Sequence, residues 1–299
     1  MRQQTKSGIR WATLAACAAV ALTIAGCGGG GGSNPPAPDD GGNSAAPPDS
    51  GGGGGGGSNP PAATNSSAEG MWQWVFPGGS GFDRIIVLDD GSFWATYGDL
   101  SQYYSDVTDP NMTYMINGVE RGSFSVTGNR YMASGTDIPF GYEQDITSLS
   151  ASGTVSAKDT LTIDNNAFET LSYDASYDQP VTVASLAGNY ISTHIGSGYP
   201  YLTNDAPGTV TITAGGTLTL GGDVAGCAAS GTIAQHQTPR GPVGVFDIKL
   251  TFSGATCPLG NGTAGTGIAY LTDAGAFLEA IGFTADSTKA FAFRSHRAQ

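Results

Sequence analysis

Basic side chains are scarce. Lys and Arg number 12 against 25 Asp and Glu, a formal net charge of −13 over 299 residues. Proteins hold nucleic acid and anionic lipid surfaces through basic patches, so this balance excludes nucleic acid as a partner and favours solubility. Histidine is scarcer still. His194, His236 and His296 lie far apart, each near a predicted strand end, and read as surface or turn residues. Four cysteines without a histidine cluster make no zinc site, and no Cys-x-x-Cys redox pair exists. None of the four lysines follows a glycine, so there is no P-loop, and the Gly-x-Ser-x-Gly elbow and the His-Glu-x-x-His helix are both absent. Gly260–Gly265 matches Gly-x-Gly-x-x-Gly but leads into Thr266–Leu271, which reads as strand. A dinucleotide site needs a helix N-terminus there, so the motif is a glycine-rich turn. No EF-hand or calcium nonapeptide occurs. The sequence assigns no catalytic residue, no metal ligand and no cofactor, and the expectation is a protein that is not an enzyme.

Three of the basic residues, Arg2, Lys6 and Arg10, precede an apolar stretch of about 14 residues, Trp11–Ile24. A spanning helix needs about 20. A short apolar core behind a basic start is a secretion signal, removed from the mature chain. It ends Leu22-Thr23-Ile24-Ala25-Gly26-Cys27, and small residues followed by cysteine resemble the lipobox of bacterial lipoproteins. The resemblance implies cleavage before Cys27, diacylglycerol on its thiol and an acylated amino terminus; two or more acyl chains anchor a protein durably. Gly28, in place of aspartate, implies outer-membrane sorting by the rule of enteric bacteria. Signal removal leaves nine basic against 25 acidic residues, a formal net of −16.

From Gly28 to about Ala68 the chain is Gly, Ser, Asn, Pro, Ala and Asp, with runs at Gly28–Gly32 and Gly51–Gly57. Nothing in it offsets the entropy of ordering, so 27–68 reads as a disordered tether after the 1–26 signal, with a typical reach of about 35 Å. Cys17 leaves with the signal and Cys27 carries lipid. Cys227 and Cys257 remain in an oxidising compartment, where a disulfide is the default.

From Glu69 onward β-branched and aromatic residues alternate with polar ones. Phe246–Phe252 is the clearest period-2 run, and Thr209–Thr213 and Thr217–Leu220 repeat it around the tight turn Ala214-Gly215-Gly216. Asp90-Gly91 signals another hairpin. The spacing predicts an all-β protein of two tandem antiparallel meanders, about six strands in 70–181 and about eight in 188–297, each closing as a barrel or packing as a sandwich. The domains read as 69–181 and 182–299, with one domain of about 230 residues as the alternative. A weak repeat supports two: Gly70-Met71-Trp72 against Gly188-Asn189-Tyr190, and Ala151–Val155 against Ala229–Ile233. The spacing differs by about 40 residues, which points to an insertion within 99–118 of the first copy.

Residues 173–191, from Tyr173-Asp174-Ala175-Ser176-Tyr177-Asp178-Gln179-Pro180 to Ser185-Leu186-Ala187-Gly188-Asn189-Tyr190, resemble the joint of uncharacterised two-domain proteobacterial β-barrel-like lipoproteins. That group also has a cysteine pair placed like Cys227 and Cys257 and a last strand ending near an arginine, here Phe291–Arg297. The resemblance implies a fold and no activity. Gly70-Met71-Trp72 is also similar to the Gly-x-Trp that opens lipocalin-type barrels, although the second copy carries Tyr190.

Three features are candidate binding elements. Trp72, Trp74 and Phe76 share one face of the opening strand, either as core or lining a ligand cavity or sugar-stacking face. The segment 99–118 holds Tyr103, Tyr104 and Tyr114, with Tyr199 and Tyr201 as counterparts in the second domain. Long loops in compact domains are often functional, and tyrosine is enriched at interfaces, so the segment reads equally as a recognition loop or as a self-packed flap. Glu279 lies in phase with the aromatics of Phe277–Phe283. Inward it needs an arginine such as Arg294 or a ligand; a kink at Gly282 turning it outward is the favoured reading. The sequence therefore reads as a lipid-anchored outer-membrane binding module for an unknown protein, small-molecule or glycan ligand. A structural or inhibitory periplasmic protein is the alternative, and a glycan hydrolase using acids from separate strands is less favoured.

Overall fold

A computed structural model describes residues 68–75, 82–100, 114–140, 146–164, 170–197, 208–221, 226–272 and 275–298. The described residues belong to one compact unit. Strands β1 (Gly70–Val75), β2 (Phe82–Val87), β3 (Ser92–Leu100), β4 (Tyr114–Thr127), β5 (Arg130–Pro139), β6 (Thr147–Ser156), β7 (Thr160–Ile163) and β8 (Thr170–Asp174) form an antiparallel meander that closes as a barrel. The closing pair is β1 with β8, through Met71↔Asp174, Trp72↔Tyr173 and Gln73↔Ser172. A 3-10 turn (Ala175–Asp178) and one helical turn, α1 (Val183–Leu186), lead to the second closed barrel. It comprises β9 (Gly188–Ser197), β10 (Gly208–Ile212), β11 (Thr217–Gly221), β12 (Ala228–Thr238), β13 (Gly241–Ser253), β14 (Ala264–Thr272), β15 (Phe277–Thr284) and β16 (Ala290–Arg297).

The first barrel thus has eight strands where the spacing predicted about six. β7 has only four residues, too few to show a period. The expected hairpin turns are present. Leu88 N–H donates to the Ser92 carbonyl at 2.9 Å around Asp90-Gly91, and Thr213 N–H to Thr217 at 3.0 Å around Gly215-Gly216. Gly260–Gly265 is a turn running into β14.

Both barrels open with one device. Gly70 and Gly188 have φ of +155° and +151°, which L side chains rarely adopt, and a Cβ on Gly70 would lie 2.4 Å from the Tyr173 ring. Two residues on, the Trp72 indole N–H donates to the Ala68 carbonyl at 2.9 Å, and the Tyr190 hydroxyl donates to the Leu186 carbonyl at 2.7 Å. Tyr190 therefore does the work of Trp72 in the second barrel. The other repeat is out of step: Ala151–Val155 lies on the sixth strand of its barrel and Ala229–Ile233 on the fourth of its own. The 40-residue difference is a pair of strands, not an insertion in 99–118.

Three apolar cores result. One fills the first barrel with Trp72, Ile85, Phe93, Phe124, Tyr131 and Leu161. A second fills the second barrel with Tyr190, Ile248, Phe252, Phe291 and Phe293, together with Cys227 and Cys257, which are disulfide-bonded with Cα atoms 4.5 Å apart. The third lies between outer walls. Met71, Ile86, Trp94, Val119 and Ile138 of the first barrel pack on Val245, Ile268, Ile281, Phe283 and Ala292 of the second. Trp94 meets Phe283 edge-on at 5.9 Å, and the Arg121 guanidinium lies 5.1 Å over the Phe283 ring.

Glu279 sits in this wall-to-wall contact and is 0 % exposed. The expected kink at Gly282 is not there: β15 pairs in regular register with both neighbours, and Glu279 faces outward in phase with Ile281 and Phe283, on a wall that the first barrel covers. Arg84 of the first barrel donates to its Oε2 at 2.6 Å, Arg294 pairs with Oε1, and the Thr272 hydroxyl donates to Oε1 at 3.4 Å. Burial opposes ionisation, but Arg84 and Arg294 outweigh it and hold the carboxyl below its usual range. Elsewhere in the joint, Arg240 pairs with Glu69, which accepts from the Tyr177 hydroxyl at 3.1 Å. β13 runs so close to the 3-10 turn that a Cβ on Gly244 would lie 2.2 Å from the Ser176 carbonyl oxygen. Gly244→Ala is accordingly expected to force strand and turn apart at a cost of about 1–3 kcal/mol, read as a lower urea midpoint at unchanged m-value.

Candidate functional site

In a meander, alternate connections gather at one end. The last residues of β1, β3, β5 and β7 and the first of β2, β4, β6 and β8 lie at the end of the first barrel opposite Ala68. The inward positions of six successive strands near that end form a polar belt: Trp74, Asp83, Tyr97, Glu120, Asp137 and Thr147. Register fixes the order. Trp74 is opposite Asp83, Asp83 opposite Tyr97, Glu120 opposite Asp137, and Asp137 opposite Thr147. The same faces continue inward as Ile85, Ala95, Phe124, Ala133 and Leu149, all core residues.

Asp83 is 2 % exposed and Glu120 is 0 % exposed. The Tyr97 hydroxyl donates to Asp137 Oδ1 at 2.9 Å, and the Thr147 hydroxyl to Oδ2 at 3.4 Å. Burial raises the Asp137 carboxyl above its ordinary range, with these two hydrogen bonds opposing it in part. Burial, then the negative charges of Asp137, Glu120 and Asp83, push the Tyr97 phenol far up, so it stays a donor at all physiological pH. Tyr97 lies flat across β4 because its neighbour is Gly118, where a Cβ would fall 2.1 Å from the phenolic oxygen. Two carboxylates directly opposite on paired strands, inside a barrel, are unfavourable for folding. Such violations of local rules concentrate at functional sites. Chemically, the belt gathers hydrogen-bond acceptors, one phenolic donor and an indole at that end. Among the described residues, no three acidic, histidine or cysteine side chains converge as metal ligands would.

Of the candidates named from sequence, Trp72 is core and edge-packed on Tyr173 at 5.2 Å, while Trp74 is half-buried in the belt. Tyr114 opens β4 opposite Leu100, at the same end, and its side chain lies outside the described residues, so the tyrosine-bearing connection is 101–113 rather than 99–118. Cys27, Phe76, Tyr103, Tyr104, Tyr199 and Tyr201 also lie outside the described residues. His194 is on β9 opposite Arg294, and His296 stands edge-on to Phe277 at 6.2 Å. His236, expected at a surface or turn, is instead held between the barrels. Asp83, Tyr97, Glu120 and Asp137 were missed. Their signal was available: each stands in the apolar phase of its strand, as Glu279 does.

No family model matches the chain, and no curated protein is similar to it. Among solved structures it is similar to a protein of unknown function from the DUF3598 family of Nostoc punctiforme, at 10 % identity and a TM-score of 0.28, over 78 % of this chain and 97 % of that one.

Proposed function

We propose that the protein is a lipid-anchored cell-envelope binding module, held in the outer membrane through Cys27 and taking a small ligand or an extended group of a partner at the polar end of its first barrel. The anchor rests on the lipobox-like Ala25-Gly26-Cys27 and on the resemblance to two-domain proteobacterial lipoproteins. The carrying observation for binding is the contrast between interiors. The second barrel is filled with aromatic and aliphatic side chains and a disulfide, whereas the first changes from apolar to a belt of three carboxylates, a phenol and an indole at the end opposite Ala68. The outer face of the second barrel at β12 and β13 does not suit a bilayer. Membrane barrels are apolar outside, whereas β12 and β13 turn Ser230, Thr232, Asp247, Lys249 and Thr251 outward and Ile233, Ile248 and Leu250 inward.

The belt suits ligands rich in hydroxyls or carrying a cation, which donate to carboxylates and stack on indole. A thermal-shift screen of the purified full chain against glycans, polyamines, host fluids and envelope extracts tests this. At least one ligand is expected to stabilise the wild type and to bind Asp137→Asn or Glu120→Gln at least about tenfold more weakly, or about 1.4 kcal/mol. A ligand that binds wild type and both variants alike, or a panel without ligands, contradicts the assignment. A glycan hydrolase is the second reading, favoured by Glu120 standing opposite Asp137. Retaining enzymes hold two carboxyls about 5 Å apart; release of reducing sugar, abolished in both variants, would establish it.

A further inference from the structure

His236 occupies the one irregular position of β12. The register with β13 slips between Gln235 and Gln237, where His236 alone stands against Val243–Val245 and β13 carries the two extra residues. His236 follows Ser230, Thr232 and Ala234 on the outer face of β12, and there its imidazole meets the first barrel. Its side chain is 14 % exposed. Nδ1 lies 2.9 Å from Asp247 Oδ1 on β13, and Nε2 lies 3.2 Å from Asp89 Oδ1 in the β2–β3 turn of the other barrel. An ionised carboxylate only accepts hydrogen bonds, and a neutral imidazole donates through one nitrogen only. Two carboxylates on the two nitrogens therefore require the imidazolium.

We propose that His236 is a proton-operated clamp between the barrels, tying Asp89 of the first to Asp247 of the second when charged and releasing Asp89, the longer contact, when neutral. The groups facing the ring are few. β13 contributes Asp247, with Lys249 exposed further along the same face, and the β2–β3 turn contributes Asp89. The 3-10 turn brings Tyr177, whose hydroxyl is bonded to Glu69 beside Arg240. β11 and α1 bring no titratable side chain.

The hydrogen bond and charge of Asp247, with those of Asp89, raise the His236 pKa above its ordinary 6.5 against the opposing effect of burial. A raised folded pKa stabilises fully below the unfolded value, and the contribution is lost as pH rises through the folded one. The clamp is thus closed in mild acid and opens as pH rises through a His236 pKa that lies above 6.5. The inference rests on the joint alone and is independent of ligand binding at the belt.

With only three histidines, ¹³Cε1-histidine NMR of the detergent-solubilised full chain resolves the titration, and His236→Gln assigns the signal. His236 is expected to titrate above 6.5, and Asp89→Asn to move its pKa down toward 6.5. Amide protection factors across residues 88–92 are expected to fall several-fold as pH passes the His236 pKa in wild type and to stay level in His236→Gln. A His236 pKa at or below 6.5, a value unmoved by Asp89→Asn, or the same loss of protection in both proteins would overturn the clamp.

Discussion

Glu279→Gln is expected to cost about 3–5 kcal/mol of unfolding free energy, the usual consequence of removing one partner from a buried ion pair. The carboxylate is 0 % exposed and bonded to Arg84 from one barrel and Arg294 from the other. An amide keeps the shape but leaves two guanidiniums in a wall-to-wall contact that includes Ile268, Tyr270, Ile281 and Phe283. For a folded region of this size each kcal/mol is worth about 2–4 °C, so the melting temperature should fall by roughly 10 °C. Replacing the whole cluster (Arg84→Met, Glu279→Leu, Arg294→Leu) should recover most of that loss, since apolar substitutes for complete buried ion clusters are often neutral or stabilising. The cluster also sets an acid limit. Because the folded pKa of Glu279 is depressed, its contribution is present above the unfolded value of about 4.3 and is lost as pH falls through the folded one. Calorimetry of the single and triple variants between pH 3 and 7 checks both. A cost below about 1 kcal/mol for Glu279→Gln would mean that the cluster is solvated and does not join the barrels.

Loss of the Cys227–Cys257 bond has the next largest effect. The sequence separation of 30 residues makes it worth about 3.5 kcal/mol in the chain-entropy view. It ties the β11–β12 connection to the β13–β14 connection, and both cysteines belong to the second barrel's core. Cys227→Ala with Cys257→Ala isolates the cross-link, since alanine adds no buried hydroxyl. Its melting temperature should fall by about 7–14 °C and become insensitive to dithiothreitol, while the wild type plus reductant approaches the same value. A double variant as stable as the oxidised protein would remove the disulfide from the account of the second barrel.

Much of the fold was legible because strand period and turn chemistry are local. Phe246–Phe252 alternates in the structure as it does in sequence, and Asp90-Gly91 and Gly215-Gly216 turn where their backbone freedom allows. The cysteine pair was expected from the export signal read in the sequence, and the two cysteines are bonded. What period 2 cannot give is which face of a strand finds cover. Met71, Ile86 and Trp94 are apolar on the outer wall, while Trp72, Ile85 and Phe93 are apolar on the inner one, so the joint between barrels was hidden in strands that read as ordinary β. The one local clue was at the other side of the joint, where β15 and β16 are buried almost throughout and so carry continuous apolar runs instead of alternation. Glu279 was placed outward for the same reason: outward on β15 means against the first barrel. The acid belt was illegible as a group because Asp83, Glu120 and Asp137 are spread over 55 sequence positions and only closure of the meander brings their strands side by side.

The decisive measurement is protease treatment of intact cells, followed with an antibody to residues 188–297 and a periplasmic control protein. The proposed anchored binding module, displayed on its tether at the outer membrane, requires the barrels to be digested or released while the control survives. Barrels protected until the outer membrane is permeabilised would contradict outward display, and a structural or inhibitory role inside the periplasm would take its place.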